Sequence, residues 1–260
     1  MQSDSICPAA ISGHSAPMSL SRFYLPASEW QPDALSLTGD EAAHCARVLR
    51  RQVGDEVEVF DGEGRVAQAV ITAVSKSSVQ LRPTSETRHA PLPYRIHLLP
   101  AMIKAEPFEW LLEKAVELGA VSIQPLVTER TVVHLAGEHL DKKMAKWRRH
   151  MIESAKQCHT PFVTRLEKPR PFAQVIASLP AGSLKVLPAL SEHSRTLHGI
   201  ASGHREAYIA IGPEGDFTPA EEALAQQQGF IPVTLGPLIL RAETAVVSAL
   251  AVLGHEFGKS

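Results

Sequence analysis

Over residues 94–257 short apolar runs alternate with stretches of helical period, and that order leaves few folds open. Residues 94–99, 121–125, 184–187, 207–211 and 231–235 read as strands. Between them, Phe108, Leu111, Leu112, Ala115 and Leu118 recur at the spacing of one helix face, and Gly119 supplies the stop. Further helices are predicted over 139–159, 172–179, 219–228 and 243–257. Consecutive strands joined through helices must run parallel, so the expectation is an α/β fold with a parallel sheet covered on both faces.

Residues 20–82 follow another rule. Val57 and Val59 alternate with Glu56 and Glu58, Asp61-Gly62-Glu63-Gly64 makes a hairpin turn, and strands are predicted over 65–74 and 78–81. Thr38-x-x-Glu41 reads as a capping box opening a helix through Leu49. A small, mostly β segment of this kind predicts a barrel. The Pro-, Thr- and Ser-rich stretch after it marks a boundary. The expected organisation is a tail at 1–19, a β-barrel at 20–83, a linker at 84–93 and the larger domain at 94–260, with Met18 as a second candidate start.

At 260 residues two domains are the natural expectation. No run approaches the roughly 20 apolar residues that span a bilayer. Residues 1–19 carry neither the basic start nor the apolar run of a signal peptide. Cys7, Cys45 and Cys158 are odd in number and widely spaced, which disfavours a disulfide framework and suits a reducing cytoplasm. The 12 histidines show no metal-ligand spacing, so no metal is expected. A net charge of -2 hides an uneven distribution: over 142–170 there are nine basic residues and two acidic ones, and Arg47, Arg50 and Arg51 form a smaller cluster. Such runs are either solvated helix faces or grips for a nucleic-acid backbone.

Two segments carry the chemistry. In the first, the strand Ile209-Ala210-Ile211 runs into Gly212-Pro213-Glu214-Gly215-Asp216-Phe217, after which Thr218 caps a helix whose first residue is Pro219. Small residues at the carboxyl end of a strand let a ligand reach the backbone. The segment lacks the Gly-Lys-Ser/Thr of a phosphate loop, and Glu214 and Asp216 repel phosphate, so a cofactor with a positive centre suits it better than a nucleotide. The second, Leu235-Gly236-Pro237-Leu238-Ile239-Leu240-Arg241-Ala242-Glu243-Thr244-Ala245, repeats the strand, Gly-Pro turn and helix. Its Leu238-Ile239-Leu240 run is expected to be buried, either in a core or against an adenine ring. Arg241 and Glu243 are either groups of the same crevice or a structural ion pair.

Together the two segments resemble the C-terminal signature of SPOUT-class methyltransferases. More closely, the chain resembles the ribosomal RNA small-subunit methyltransferase E family, which methylates N3 of one uridine in 16S rRNA. The likeness extends through Arg22-Phe23-Tyr24-Leu25, His44, Arg47-Val48-Leu49-Arg50, Val53-Gly54-Asp55, Asp61 to Gly64, Lys104, Trp110 to Gly119, Pro125 to Arg130, Trp147-Arg148-Arg149, Glu153, Ala155 and Gln157-Cys158. It spans essentially residues 20–253. Leu238 stands where the family often has Arg, and the residues before Met18 have no counterpart.

The resemblance implies a PUA-like β-barrel before a SPOUT domain with a C-terminal trefoil knot, a homodimer, and S-adenosyl-L-methionine as cofactor. Cofactor contacts are expected from Leu187, Ile211, Gly212, Pro213, Glu214, Gly215, Leu235, Gly236, Leu238, Leu240, Ala242 and Thr244. Arg241 is expected to stabilise the developing uridinate, with Glu243 or Glu214 taking the N3 proton or orienting Arg241. Arg22, Arg47, Arg50, Arg51, Lys104, Arg130, Lys142, Arg148 and Arg149 are the expected RNA contacts, probing 16S rRNA within the 30S subunit. Three rivals stand beside this reading: a SPOUT enzyme acting on another RNA position, a non-catalytic ribosome-assembly factor, and a doubly wound metabolic enzyme.

Overall fold

The computed structural model describes residues 20–133, 135–189 and 194–259; the expected tail at 1–19 lies outside them. The chain divides into two compact units, one of residues up to 60 with 66–87, the other of 61–65 with 88 onward.

The smaller unit is a five-stranded sheet of β1 (Ser21–Tyr24), β2 (Leu35–Thr38), β3 (Glu56–Phe60), β4 (Arg65–Val74) and β5 (Ser78–Arg88), in the order β1-β3-β4-β5-β2. β1 runs parallel to β3, whereas β3 pairs with β4, and β2 with β5, antiparallel. Alternate side chains from all five strands, among them Phe23, Leu35, Val57, Val59, Ala69, Ile71 and Leu81, meet in one buried cluster. A period of two with one wet face produces this pattern.

Three expectations are corrected here. The strand predicted over 78–81 continues to Arg88, so the first half of the expected linker at 84–93 belongs to β5. Pro83 does not end it because β2 pairs only as far as Leu81, leaving no ladder on that side for a missing N–H to break. The capping box at Thr38 does not form, since the Glu41 carboxylate accepts the Tyr24 amide at 3.2 Å instead. The predicted helix through Leu49 is α1 (Gly39–Ala43) followed by a π-helical turn over His44–Val48.

The larger unit carries β6 (Arg95–Pro100), α2 (Ala105–Glu117), β7 (Ser122–Ile123), β8 (Leu126–Val127), α3 (Gly137–Gln157), β9 (Arg165–Leu166), β10 (Arg170–Pro171) and α4 (Phe172–Ala177). After these come β11 (Leu184–Pro188), β12 (Arg195–Thr196), α5 (Leu197–Ile200), β13 (Glu206–Ile211), α6 (Pro219–Gln227), β14 (Ile231–Thr234) and α7 (Ala242–Gly258). Seven strands form one sheet in the order β12-β14-β11-β13-β6-β7-β9, with every neighbouring pair parallel. Helix α2 packs with α3 and α7, and α4 with α6. Phe108 of α2 and Trp147 of α3, both fully buried, hold their rings 4.8 Å apart. Leu99, Leu187 and Ala210 turn to the other layer, where they meet Phe172, Phe217, Ala225 and Phe230.

A buried polar cluster sits in this sheet. His97 on β6 hydrogen-bonds Ser122 Oγ at 2.7 Å and Glu206 at 3.1 Å, and stacks on Tyr208 at 4.4 Å. Burial pushes the imidazole below its ordinary value of 6.5 despite the Glu206 carboxylate, and Arg95, with His97 behind it, holds Glu206 below the usual carboxylate range. The unfolded chain therefore binds protons more readily at both groups. The stability they contribute is present above pH 6.5 and is lost as pH falls through the lowered imidazole value and then the lowered carboxylate value. Denaturant midpoints measured from about pH 7 to about pH 5 are expected to fall in the wild type and to fall less steeply in His97→Phe.

Candidate active site

Strands β14, β11, β13 and β6 are consecutive neighbours and parallel, so their carboxyl ends lie along one edge of the sheet. The segments leaving those ends enclose a cavity of about 580 Å³, well within the range of small-molecule sites. Pro188 ends β11 and Ala189 follows it, and Ile211 ends β13 with Gly212 to Glu214 and Asp216 after it. Leu235, Gly236 and Leu238 to Arg241 follow β14 with Ala242 and Glu243 opening α7, and Lys104 follows β6. This is where an open parallel sheet receives ligands.

The first segment is rigid. Thr218 and Glu221 form a reciprocal capping box at the start of α6, with Pro219 in its first turn. Asp216 adopts φ +61° and its own carboxylate accepts the Phe217 amide at 2.8 Å. The Arg130 guanidinium donates to the carbonyls of Gly215 and Phe217, at 2.5 and 3.4 Å. Arg130, expected on the RNA, is thus engaged with this segment. Burial, and Asp216 after it, raise the Glu222 carboxyl behind it, while Arg130 opposes the shift.

The second segment is open. Leu238 and Ile239 are 72% and 87% exposed, so the expectation that the Leu-Ile-Leu run is buried is overturned within this chain. Both still line the cavity, at its rim. Arg241 is the N-cap of α7, and no side chain caps that helix. Its first amides, with the positive end of the helix dipole, are therefore left beside the cavity. Among the described residues, neither Arg241 nor Glu243 makes a side-chain hydrogen bond or ion pair, so the two are not a structural pair. Glu214, the third expected catalytic group, reaches back to the Lys104 amide at 3.5 Å.

The cavity brings together Arg241, Glu243 and Glu214 with Ile211, Gly212, Pro213, Leu235, Gly236, Leu238, Leu240 and Ala242. Three expected cofactor contacts lie off its wall. Leu187 is buried in the layer beneath, and the cavity is reached instead by Pro188 and Ala189 at the carboxyl end of β11. Gly215 faces Arg130, and Thr244 is exposed on α7. Lys104, expected on RNA, is instead on the cavity wall. Pro107, Pro188, Ala189, Asp216, Ile239 and Ala245 line it without having been expected. Asp216 lay inside a segment already singled out; Pro188 and Ala189 needed only the strand order.

The remaining basic residues divide by environment. Arg22 is buried, pairs with Glu58 at 3.0 Å and lies 4.3 Å over the Phe60 ring, so its placement on RNA is corrected to a cross-strand structural role. Arg51 donates to Ser21 Oγ, and Lys142 pairs with Glu138 at 2.7 Å. Arg47, Arg50, Arg148 and Arg149 are exposed. Among the described residues no cluster of His, Cys, Asp and Glu could hold a metal, and no helix is long and apolar enough to cross a membrane.

Known proteins place this architecture. The RNA methyltransferase domain family matches residues 90–254, and the RNA methyltransferase PUA domain family matches residues 37–84. Ribosomal RNA small subunit methyltransferase E of Synechocystis is 33% identical over 84% of this chain and 71% of its own length. The Bacillus subtilis protein of that name is 29% identical over 91% and 97%. A Legionella pneumophila structure with bound S-adenosylmethionine superposes with a TM-score of 0.85 at 33% identity, covering 91% of this chain and 97% of that one. Ribosomal RNA small subunit methyltransferase E of Neisseria gonorrhoeae, also bound to S-adenosylmethionine, gives 0.83 at 27% identity over the same shares. With a PUA unit before a parallel-sheet unit and a cavity at the sheet's carboxyl edge, this chain belongs to the ribosomal RNA small subunit methyltransferase E family.

Proposed function

We propose that this protein transfers a methyl group from S-adenosylmethionine to N3 of one uridine in 16S rRNA, acting in the cytoplasm on the small ribosomal subunit. The observation that carries the reading is the Arg241 side chain, which makes no side-chain hydrogen bond or ion pair among the described residues. It stands at the start of α7 on the wall of a cavity that it shares with Gly212, Pro213, Gly236, Leu240 and three carboxylates. Carboxylates at Glu214, Asp216 and Glu243 suit a ligand with a positive centre, and the absence of a phosphate loop disfavours a nucleotide cofactor. Ile211 to Pro213 and Leu235 to Ala242 would hold S-adenosylmethionine, with Pro188 and Ala189 closing the wall. When bound, it supplies an electrophilic methyl group on a sulfonium.

The chain's own work is alignment and charge. N3 of uridine carries a proton that must leave as the new N–CH3 bond forms, and negative charge spreads onto the ring carbonyls. Arg241 and the first amides of α7 stabilise that charge. Glu243 or Glu214 takes the proton. A base methylated on its pairing edge must first be unpaired and turned out. The exposed basic faces, Arg148 and Arg149 on α3 with Arg47 and Arg50 on the smaller unit, hold the backbone.

The protein works as a homodimer, with the chain after β13 threaded as a trefoil knot. Leu238 and Ile239, with exposed Trp110 and Val252 of the same unit, supply apolar surface of the kind that a partner covers. The decisive experiment incubates purified small subunits and free 16S rRNA with labelled S-adenosylmethionine and identifies the modified nucleoside by mass spectrometry. N3-methyluridine is the expected product. A different methylated nucleoside would favour another RNA position, and cofactor binding without any transfer would favour a non-catalytic assembly role.

A further inference from the structure

Among the described residues of the smaller unit, three of the four exposed large apolar side chains fall within six positions. Val48 is 69%, Leu49 40% and Val53 64% exposed. Val48 ends the π-helical turn at His44–Val48 and Leu49 follows it; Arg50 comes next with φ +53°, and Val53 lies just beyond. A left-handed conformation is unfavourable for a residue bearing a side chain, and π-turns are likewise disfavoured; both are enriched at functional sites. The core does not require the exposed residues, since Ala42 and Cys45 supply the buried contacts of this segment.

The surroundings are basic. Arg47 and Arg50 are exposed beside the apolar pair, and Arg47 donates to the Lys76 carbonyl at 3.3 Å, bringing the exposed Lys76 to the same tip. Of the carboxylates that act on Cys45 in this segment, Asp55 is engaged by the Gln52 amide and Arg51, and Glu41 by the Tyr24 amide. Two or three aliphatic side chains are far too little for a stable protein dimer, which buries about 800 Å² on each partner. They are enough to cover one base. Cations around an apolar tip match a phosphate backbone around an unstacked base.

We propose that Val48 and Leu49 form an apolar finger that packs against an unpaired base of the rRNA, while Arg47 and Arg50 hold the flanking phosphates. The proposal rests on the RNA-methyltransferase reading and adds to it a specificity element remote in sequence from the cavity.

The test uses the full chain and small ribosomal subunits, measuring equilibrium binding and methyl transfer separately. Val48→Ser/Leu49→Ser is expected to weaken subunit binding and raise KM about tenfold, the scale of one lost base contact, with the effect in KM rather than kcat. Its salt dependence should match the wild type, because an apolar contact releases no counterions; Arg47→Gln should reduce the salt slope by about one. Leu49→Trp should bind at least as tightly as the wild type, since an indole stacks on any base. Unchanged binding and KM in the serine pair overturns the proposal. A Trp variant as weak as the serine pair overturns it as well, since that points to a fitted pocket on a ribosomal protein. If the wild type binds subunits through this tip yet transfers no methyl group, the enzymatic reading fails and the finger stands.

Discussion

Arg241→Ala is expected to lower the rate of methyl transfer by about a hundredfold to a thousandfold, with a much smaller loss of cofactor affinity. The size follows from where the charge appears. Uridine is neutral in the ground state and becomes anionic as N3 loses its proton, so a cation on the cavity wall gains most of its interaction energy at the transition state. Arg241 is placed for this: it lines the cavity, occupies the N-cap position of α7, and spends none of its donors on other side chains among the described residues. Lysine at the same position restores the charge without the planar fork and should recover only part of the rate. A check separates this electrostatic role from a structural one. Raising the pH ionises uridine without help, so the activity ratio of wild type to Arg241→Ala should shrink as pH rises. A ratio that stays constant with pH would assign Arg241 to shape rather than charge.

The longer elements of the larger unit were legible in the sequence to within a residue or two at most of their ends, because strand and helix periods are local signals, whereas the short β8, β9, β10, β12 and α5 were not predicted. Helix α7, predicted over 243–257, spans Ala242–Gly258, and β13, predicted over 207–211, spans Glu206–Ile211. The two loops that form the cavity were legible for the same reason: glycine and proline directly after an apolar strand can be read without knowing the fold. What lay outside the sequence was set by neighbours distant along the chain. Arg22 looked like a surface cation until the parallel register placed it opposite Glu58. The Thr38 capping box failed because Glu41 found the Tyr24 amide, 17 residues away. Leu238 and Ile239 were read as buried because apolar runs usually are. Their exposure shows that the hydrophobic pattern reports a need for burial without saying which surface, of this chain or of another, supplies it.

Gly212→Ala should weaken S-adenosylmethionine binding about tenfold to a hundredfold, although it adds one methyl group. Gly212 directly follows β13, and its φ is not in the left-handed region, so the effect is one of space. A Cβ there would stand 2.8 Å from Asp216 Oδ1, 3.2 Å from the Phe217 amide and 3.3 Å from Asp216 Cα. Two of those atoms are backbone, and the third is the oxygen that already accepts the Phe217 amide. The loop has little freedom to yield. Arg130 ties down its Gly215 and Phe217 carbonyls, and the Thr218–Glu221 capping box fixes the residue that follows. The strain must therefore be relieved on the remaining side, by displacing Gly212 and Pro213 where they form the cavity wall. Gly258→Ala is the matched control: a Cβ there meets nothing within 4 Å, and the position lies at the far end of α7. Calorimetric titration of both variants with S-adenosylmethionine, alongside thermal melts, separates lost affinity from lost folding. Wild-type affinity in a folded Gly212→Ala protein would mean that the cofactor does not lean on this loop, and would move its site to the segment after β14.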